Sequence, residues 1–300
     1  MSLLRVESLG KRFGGVNAVD DLNYEIQAGA VHSIIGPNGA GKTTLLNLLT
    51  GVYRPSCGRI MFEERDLTGR TPYEYAAHGI GRTFQNLQVF FNMSALENVM
   101  VGRYMHERCG LASALLRFPR LKRAEQACRE EAAELMRYVG LQDYLSAAAD
   151  AMPYGALKRL EIARALATKP KLILLDEPAA GLNPTEALDL DDLIGRLTER
   201  GVSVVLVEHN MRLVMGVSDH ILVLDYGRKL AEGSAQAIRN DPKVIEAYLG
   251  SAVASAGSET SADTPAGLVG RAVAGAGSAG NSSAGAGQIG SAGLVGTGAR

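Results

Sequence analysis

The chain has 300 residues, a formal net charge of −1 and 46% hydrophobic residues. This length allows one large or two modest domains with a sizeable core, and the near-neutral charge provides no basic field for a nucleic acid. The cysteines, Cys57, Cys109 and Cys128, lack C-x-x-C spacing, which argues against a zinc site or a disulfide framework. The sequence has no apolar run of roughly 20 residues that could span a bilayer, and no signal peptide pattern, so we expect at most a peripheral association with a membrane.

The N-terminal part of the chain is predicted to form short strands and turns. Apolar and polar residues alternate over residues 3–8 and again over 22–26, as they do in half-buried strands. Residues 58–64 read as a further strand. A short helix is predicted over residues 71–77, with Thr71 as its N-cap and a proline in its first turn.

Residues 36–44 read GPNGAGKTT, between the apolar run 31–35 and the leucine-rich run 45–49. This is the P-loop pattern in its strand–loop–helix context. Its glycines let the backbone approach phosphate oxygens, and the following helix offers its positive N-terminus to the anion. Lys42 is expected to reach the β- and γ-phosphates, and the Thr43 hydroxyl to ligate Mg²⁺. The residues predicted to bind the nucleoside triphosphate are Gly36, Pro37, Asn38, Gly39, Ala40, Gly41, Lys42, Thr43 and Thr44.

From about residue 94 to 169 the pattern is helical. Apolar residues recur at near-helical spacing over 121–139, and Gly140 stands where a C-cap belongs. Residues 158–167 predict another helix. Two apolar strands, 172–175 and 202–207, flank a helix over 184–200, and this strand–helix–strand order predicts a parallel sheet covered by helices.

The strand at 172–175 is followed directly by Asp176 and Glu177. At the carboxyl end of a parallel strand, Asp176 can hold Mg²⁺ directly or through water. Glu177 can polarise a water for in-line attack on the γ-phosphate.

Residues 251–300 consist mainly of Ala, Gly and Ser, with four charged residues and no aromatic residue. Such a segment cannot bury enough apolar surface to offset its ordering entropy. We predict a disordered tail.

Further motifs follow the P-loop in a fixed order. Gln85 lies in RTFQN, YGALKRLEIARAL spans 154–166, LILLDEP spans 172–178, AAGLNP spans 179–184, and His209 lies in VEHNM. Together they resemble the Q-loop, signature segment, Walker B strand, D-loop and switch histidine of an ABC transporter ATPase subunit, over residues 3 to 250. The resemblance implies an α/β P-loop NTPase fold: a mostly parallel sheet core, an N-terminal antiparallel β region and a helical subdomain inserted at about 86–168. The ATPase domain would span 1–250.

The resemblance also implies roles for single residues. Gln85 would contact Mg²⁺ or the attacking water, His209 would contact the γ-phosphate and orient Glu177, and Phe13 in KRFGG would stack on adenine. In this family two ATPase domains pack head to tail, so Gly155 in the signature segment would face the nucleotide of the partner. Because Glu177 and His209 are present, we expect ATP hydrolysis.

The sequence departs from the family in two places. Pro153 replaces the usual signature serine, so a hydroxyl contact to the γ-phosphate is lost, although the backbone N–H groups of Gly155 and Ala156 remain. Asn183 replaces a common aspartate in the D-loop. An amide can still hydrogen-bond across the dimer, but it carries no charge.

Several segments are similar to one branch, the LivG-type subunit of branched-chain amino acid importers. They are residues 13–22, 82–102, 176–184, the form of the signature segment, and 208–250. The resemblance implies two separate transmembrane permeases, a second ATPase subunit and an extracytoplasmic binding protein as partners, ATP and Mg²⁺ as ligands, and a peripheral place on the cytoplasmic face of the inner membrane. The apolar residues Leu87, Val89, Phe90, Phe91 and Met93 either form a socket for a permease helix or pack internally.

Other functions remain open. A urea or amide importer could carry a similar subunit, and an exporter ATPase, for example for a lipid, is a rival within the class. A soluble ABC ATPase acting on ribosomes or DNA usually has two cassettes in one chain or a long coiled coil, and this sequence has neither. A non-catalytic regulatory subunit is the remaining alternative.

Overall fold

The computed structural model describes residues 2–104 and 119–248. The strands are, in chain order, β1 (Ser2–Phe13), β2 (Val16–Gln27), β3 (Val31–Ile35), β4 (Cys57–Phe62), β5 (Arg65–Asp66), β6 (Ile80–Arg82), β7 (Leu172–Asp176), β8 (Ser203–Val207), β9 (His220–Asp225) and β10 (Arg228–Gly233). The helices are α1 (Lys42–Leu49), α2 (Pro72–Ala77), α3 (Ala95–Arg103), α4 (Pro119–Tyr138), α5 (Tyr154–Ala167), α6 (Pro184–Glu199), α7 (Met211–Val217) and α8 (Ala235–Arg239). Residues 242–248 are also helical.

A four-stranded antiparallel sheet contains the N-terminal strands, in the order β2-β1-β4-β5. The first two strands form a long hairpin, in which Phe13 pairs with Val16 across the turn. Both strands are longer than the alternating patterns at 3–8 and 22–26 predicted, because the hairpin continues to its turn through residues that break the alternation, such as the exposed Arg12 and Asn17. The predicted N-terminal antiparallel region is confirmed.

The second sheet has six strands in the order β10-β9-β3-β8-β7-β6. Strands β6, β7, β8, β3 and β9 run parallel to their neighbours, and only β10 pairs antiparallel, at the edge. Every residue of β3, β7 and β8 is buried, as expected for strands covered on both faces. The predicted mostly parallel core is confirmed.

A helical region is built from α3, α4 and α5. Helix α4 begins two residues before the predicted start at 121, and Gly140 adopts φ +78° just after its end, as a C-cap glycine does. Helices α3 and α5 approach closely at Gly102, where an added Cβ would lie 2.3 Å from the Arg164 carbonyl oxygen. Helix α5, which contains the signature segment, begins at Tyr154 and not at residue 158 as predicted. The predicted helix was therefore one turn too short at its N-terminal end.

Some predicted features lie outside the residues that the structure describes, and some observed strands were not predicted. The predicted tail at 251–300 and Cys109 lie outside the described residues. Strands β5, β6, β9 and β10 were not anticipated, and the strand predicted over 58–64 ends at Phe62, before a turn at Glu63 and Glu64 with positive φ. Of these, β6 has only three residues and contains Gly81, so it has too little periodicity for a sequence pattern. In the part of the chain that the structure describes, none of the helices combines the length and apolarity needed to cross a membrane.

A buried histidine joins the two sheets. His32 in β3 is 1% exposed, and its Nε2 accepts a hydrogen bond from the Gln27 backbone N–H at 2.9 Å. Its Nδ1 therefore carries the proton and donates to the Tyr24 hydroxyl at 2.8 Å. The ring stacks on His220 with centroids 5.1 Å apart. Burial, and secondarily His220, lowers the pKa of His32 to about 4, although Asp219 acts in the opposite direction.

This histidine should make the fold sensitive to acid. Between pH about 6.5 and about 4, His32 is protonated in the unfolded chain but not in the folded chain. The free energy of unfolding should therefore decrease as the pH is lowered, by up to about 1.4 kcal/mol per pH unit. In urea unfolding between pH about 6.5 and 5, wild type should lose about 1 to 2 kcal/mol more than His32→Gln. His78→Gln, at the end of α2, should follow wild type. Parallel pH profiles for wild type and His32→Gln would contradict the assignment.

Candidate functional site

A cavity of about 370 Å³ lies at the carboxyl edge of the six-stranded sheet. The residues lining it are Val16, Asn17, Ala18, Asn38, Gly39, Ala40, Gly41, Lys42, Thr43, Thr44, Gln85, Glu177, His209 and Tyr226. The loops after β3, β6, β7 and β8 contribute to it, because parallel neighbours place their carboxyl ends at one edge. Most of the predicted phosphate loop and the predicted catalytic residues are thus brought together.

The loop between β3 and α1 can exist only with glycine at two positions. Gly36 has φ +152°, and an added Cβ would lie 2.1 Å from the Leu224 carbonyl oxygen. Gly41 has φ +100°, and an added Cβ would lie 2.3 Å from the Ala18 carbonyl oxygen. The loop therefore packs directly on the backbone of β2 and β9, which only glycine permits at these two positions.

Lys42 is buried at the first turn of α1. Its Nζ donates to the carbonyl oxygens of Gly36 at 2.7 Å and Pro37 at 3.0 Å. These two residues do not line the cavity but hold the lysine that does. Burial lowers the pKa of Lys42, while Glu177 and Asp176 oppose this shift by favouring the charged form.

Glu177 is the centre of the site. Its Oε1 lies 3.0 Å from His209 Nε2, and its Oε2 accepts from Gln85 Nε2 at 3.0 Å. Because an ionised carboxylate can only accept, His209 presents a protonated Nε2. The Glu177 backbone adopts φ +48°, and its N–H donates to the Val207 carbonyl at 2.8 Å. The carboxylate is therefore held from both sides at the cavity wall.

Asp176 does not line the cavity. It is 4% exposed, and its Oδ2 accepts from Arg82 Nη2 at 2.9 Å. Arg82 also donates to Oδ1 of Asn47 on α1 at 2.6 Å and to Oγ1 of Thr50, the C-cap of that helix, at 3.3 Å. Burial raises the pKa of Asp176, and Arg82 opposes that rise. Sequence reasoning missed Arg82, although it lies three residues before Gln85.

The site contains oxygen ligands of the kind that Mg²⁺ prefers. The exposed Thr43 and the Gln85 amide both lie on the cavity wall, whereas Asp176, at the end of β7, is outside the lining and is bonded to Arg82. Within residues 2–104 and 119–248 no group of three or more His, Cys, Asp or Glu side chains could hold a metal by itself. A nucleotide-bound Mg²⁺, which takes most of its ligands from phosphates and water, fits this donor set.

A second buried carboxylate organises the loops after β7 and β8. Glu208 is 4% exposed and accepts hydrogen bonds from the backbone N–H groups of Ala179, His209 and Asn210, at 2.7, 3.0 and 3.3 Å. It thus fixes the backbone on which His209 stands. In the sequence, the only indication of a role for Glu208 is its position after a buried strand.

Phe13 and Gly155 lie outside the cavity. Phe13 packs edge-on against Tyr53, with ring centroids 5.3 Å apart, and Lys11 Nζ lies 4.9 Å from its ring. Gly155 lies in the first turn of α5, where an added Cβ would lie 2.2 Å from Glu186 Oε1. Adenine stacking by Phe13 and a contact of Gly155 with a partner's nucleotide stay predictions.

The two residues that depart from the family pattern, Pro153 and Asn183, are both helix N-caps. Pro153 is the N-cap of α5 and provides no side-chain hydrogen bond to it. Asn183 is the N-cap of α6, and its Oδ1 accepts from the Glu186 N–H at 2.9 Å in a capping box. An amide at 183 therefore has a local structural use as a helix cap.

Several lining residues were not predicted. Val16, Asn17 and Ala18 begin β2, and Tyr226 lies in the turn between β9 and β10 with φ +43°. The turn reaches the site because Gly227 packs against Ala18, where an added Cβ would lie 2.8 Å from its carbonyl oxygen. The Tyr-Gly pair indicates a turn in the sequence. It is far from the phosphate loop along the chain, so the sequence does not show that this turn reaches the cavity.

The sequence matches two family models. A model described as "ABC transporter" matches residues 19–180, and one described as "Branched-chain amino acid ATP-binding cassette transporter" matches residues 228–254.

Among curated proteins, the chain is 44% identical over 251 residues to the high-affinity branched-chain amino acid transport ATP-binding protein BraF of Pseudomonas aeruginosa. It is equally similar to LivG of Escherichia coli, and both alignments cover 83% of this chain and 98% of the relative. A solved nucleotide-free ATP-binding cassette of an ABC transporter aligns with a TM-score of 0.73 at 35% identity, over 83% of this chain and 99% of its own. An ADP-bound cassette aligns with a TM-score of 0.72 at 33% identity, with the same coverage.

The buried ion pair gives a stability prediction. Arg82→Met leaves the Asp176 charge buried without its partner, which should cost about 3 to 5 kcal/mol of unfolding free energy. The matched control is Lys171→Met, which breaks a pair with Glu63 at 2.6 Å whose side chains are 54% and 40% exposed. An exposed pair contributes about 1 kcal/mol or less. Urea unfolding of both variants measures the difference, and equal losses would show that Arg82 is not needed to balance Asp176.

Proposed function

The chain belongs to the ABC transporter ATP-binding proteins, in the branched-chain amino acid branch, and we propose that it hydrolyses ATP to power uptake of leucine, isoleucine and valine through separate permease subunits. The observation that carries the proposal is the Gln85–Glu177–His209 arrangement on the wall of the phosphate-loop cavity. The names and identities of the relatives support the transported class.

In the proposed reaction a water attacks the γ-phosphate of ATP in line with the leaving ADP oxygen. Glu177 polarises that water, and its carboxylate is aimed by the bonds from Gln85 and His209. His209 donates through Nε2, so it can also hydrogen-bond a phosphate oxygen when its bond to Glu177 is exchanged. The positive φ of Glu177 turns its side chain from the strand toward the cavity.

Lys42 and the loop N–H groups balance the phosphate charge. Lys42 already lies against the loop carbonyls, so a nucleotide would replace those acceptors with phosphate oxygens. Mg²⁺ would neutralise charge on the phosphates. Thr43 and Gln85 would hold it from the cavity wall, and Asp176 would act on it through water.

The proposed partners are a second ATPase subunit, packed head to tail, and two transmembrane permeases. An extracytoplasmic binding protein would deliver the amino acid to the permeases. Tyr154, next to Gly155 at the start of α5, is 44% exposed, which suits a contact across such a dimer. Phe84, Phe90 and Phe91 are 43%, 43% and 49% exposed. Phe90 and Phe91 are neighbours in the chain, and this exposed apolar patch suits a permease helix at the cytoplasmic face of the membrane.

ATPase measurements on the reconstituted complex test this proposal. In liposomes with the neighbouring permeases, second ATPase and binding protein, leucine-loaded binding protein should stimulate hydrolysis several-fold. Lys42→Ala should abolish the stimulated rate because phosphate binding fails, and Glu177→Gln should reduce it by about 10²-fold or more because the water loses its base. Stimulation by urea, by an amide or by none of these solutes would overturn the proposed substrate class.

The apolar patch gives a separate prediction. Phe91→Asp should abolish coupled transport while the MgATP affinity and basal hydrolysis of the subunit stay within about twofold of wild type, since a charge blocks burial against an apolar helix. Tyr73→Asp, at a position on α2 that is 69% exposed, is the control and should transport normally. Normal transport by Phe91→Asp would remove the patch from the permease interface.

A further inference from the structure

The turn between β9 and β10 consists of two residues, Tyr226 and Gly227. Their φ angles are +43° and +79°, and Asp225 pairs with Arg228 across the turn. Two positive φ angles at the centre of a two-residue hairpin are the pattern of a type I′ turn, in which Asn, Asp and Gly are strongly preferred. A bulky tyrosine is unfavourable at the first of these positions, because its Cβ crowds the backbone in the left-handed region.

The side chain of Tyr226 does not compensate for this strain by packing inside the protein. It is 85% exposed, more than any other large hydrophobic residue that the structure describes. The turn itself is firmly bonded, because the Gly227 N–H donates to the Ala40 carbonyl at 3.0 Å and the Gly227 carbonyl accepts from the Asp20 N–H at 2.8 Å. A strained and exposed aromatic residue on such a turn indicates a binding role.

The turn places Tyr226 on the wall of the phosphate-loop cavity. Its neighbour Gly227 lies against the loop, since a Cβ added to Gly41 would lie 3.4 Å from the Gly227 Cα. Gly227 also packs on Ala18 at the start of β2. Tyr226 therefore lies next to the loop that would hold the phosphates.

The lining of the cavity has two chemically different parts. One part is polar and charged, and consists of the phosphate loop and the bonded side chains around Glu177. The other is apolar and aromatic, and contains Val16, Ala18 and Tyr226. A nucleoside triphosphate has the same division, between its charged triphosphate and the flat faces of its base.

Phe13, to which the family resemblance assigns adenine stacking, lies outside this lining. Its ring packs against Tyr53 at a centroid distance of 5.3 Å, and Lys11 Nζ lies 4.9 Å from its centre. Tyr226, in contrast, both lines the cavity and is exposed, so its ring is accessible to a ligand.

We propose that Tyr226 is a base-binding residue, whose ring stacks on the purine of the nucleotide while the phosphate loop holds the triphosphate. This role rests on the proposed function, because it requires ATP in this cavity. Stacking on an aromatic side chain strengthens the binding of a base by about 5-fold to 100-fold, and it acts on the base alone. Tyr226 should therefore affect the affinity for a nucleotide and not the affinity for a bare polyphosphate.

Calorimetric titration of the full-length chain with AMP-PNP or with inorganic tripolyphosphate, each with Mg²⁺, tests this role. Tyr226→Asn should raise the Kd of AMP-PNP at least about fivefold and leave the Kd of tripolyphosphate within about twofold of wild type. Because Asn is favoured at this turn position, the variant should melt no lower than wild type, which separates lost binding from lost folding. Tyr226→Phe retains the ring and should bind both ligands as wild type does.

The absence of tryptophan from the sequence allows a direct readout. Tyr226→Trp places a single indole in the chain, at the proposed contact. Saturation with AMP-PNP and Mg²⁺ should quench its emission, because the base stacks on the indole. Tripolyphosphate, which has no base, should produce at most about a tenth of that quenching.

Tyr73→Asn is the matched control, because it makes the same substitution at a 69% exposed position on α2, outside the cavity lining. It should leave both Kd values unchanged. Three results would overturn the proposal: an unchanged Kd of AMP-PNP in Tyr226→Asn, an equal weakening of both ligands in that variant, or equal quenching of Tyr226→Trp by both ligands.

The two ligands also separate this proposal from the proposed function. If wild type bound neither AMP-PNP nor tripolyphosphate, the ATP site and the base contact would both be rejected. If wild type bound both ligands and Tyr226→Asn bound them equally well, only the base contact would be rejected, and ATP hydrolysis at this site would stand.

Discussion

The site depends on one topological constraint, the parallel direction of the neighbouring strands β3, β8, β7 and β6. Parallel strands bring their carboxyl ends to one edge, so the loops that follow them meet although they are far apart in the sequence. Gly36 directly follows β3, Glu177 follows β7, and His209 follows β8. If any one strand were reversed, its residue would lie at the opposite edge and the Glu177 carboxylate would lose a donor or its place beside the phosphate loop.

Direct backbone contact then fixes the loop against its neighbours. The Gly227 N–H donates to the Ala40 carbonyl at 3.0 Å, and the Asp20 N–H donates to the Gly227 carbonyl at 2.8 Å. The turn after β9 therefore bridges the phosphate loop and the antiparallel sheet. Because Gly36 and Gly41 leave no room for a Cβ, the loop is set by the positions of β2 and β9 as much as by its own sequence. The antiparallel sheet thus supports the nucleotide cavity as well as extending the fold.

Local signals in the sequence were sufficient for the parts of the molecule that local forces determine. Residues 36–44, the Thr71 cap with its capping box and the Gly140 helix end follow from hydrogen bonds within a few residues of chain. The sequence could not identify Arg82, whose partner Asp176 is distant in the chain and whose role arises only from burial. The charged residues of α5 likewise carry no signal in the sequence. Only the structure shows that Lys158 and Glu161 bond to the main chain of Gln85 and Gln88.

The backbone at Glu177 shows why its side-chain partners matter together. A left-handed φ in a non-glycine residue is unfavourable by about 1 kcal/mol or more and persists where surrounding contacts over-determine it. Here the N–H is bonded to Val207, and the two carboxylate oxygens have separate donors in His209 and Gln85. Loss of either donor leaves the other bond in place, so the orientation of the carboxylate does not depend on a single contact. A hydrogen bond to Gln85 can therefore be exchanged during a conformational change while Glu177 stays directed at the cavity.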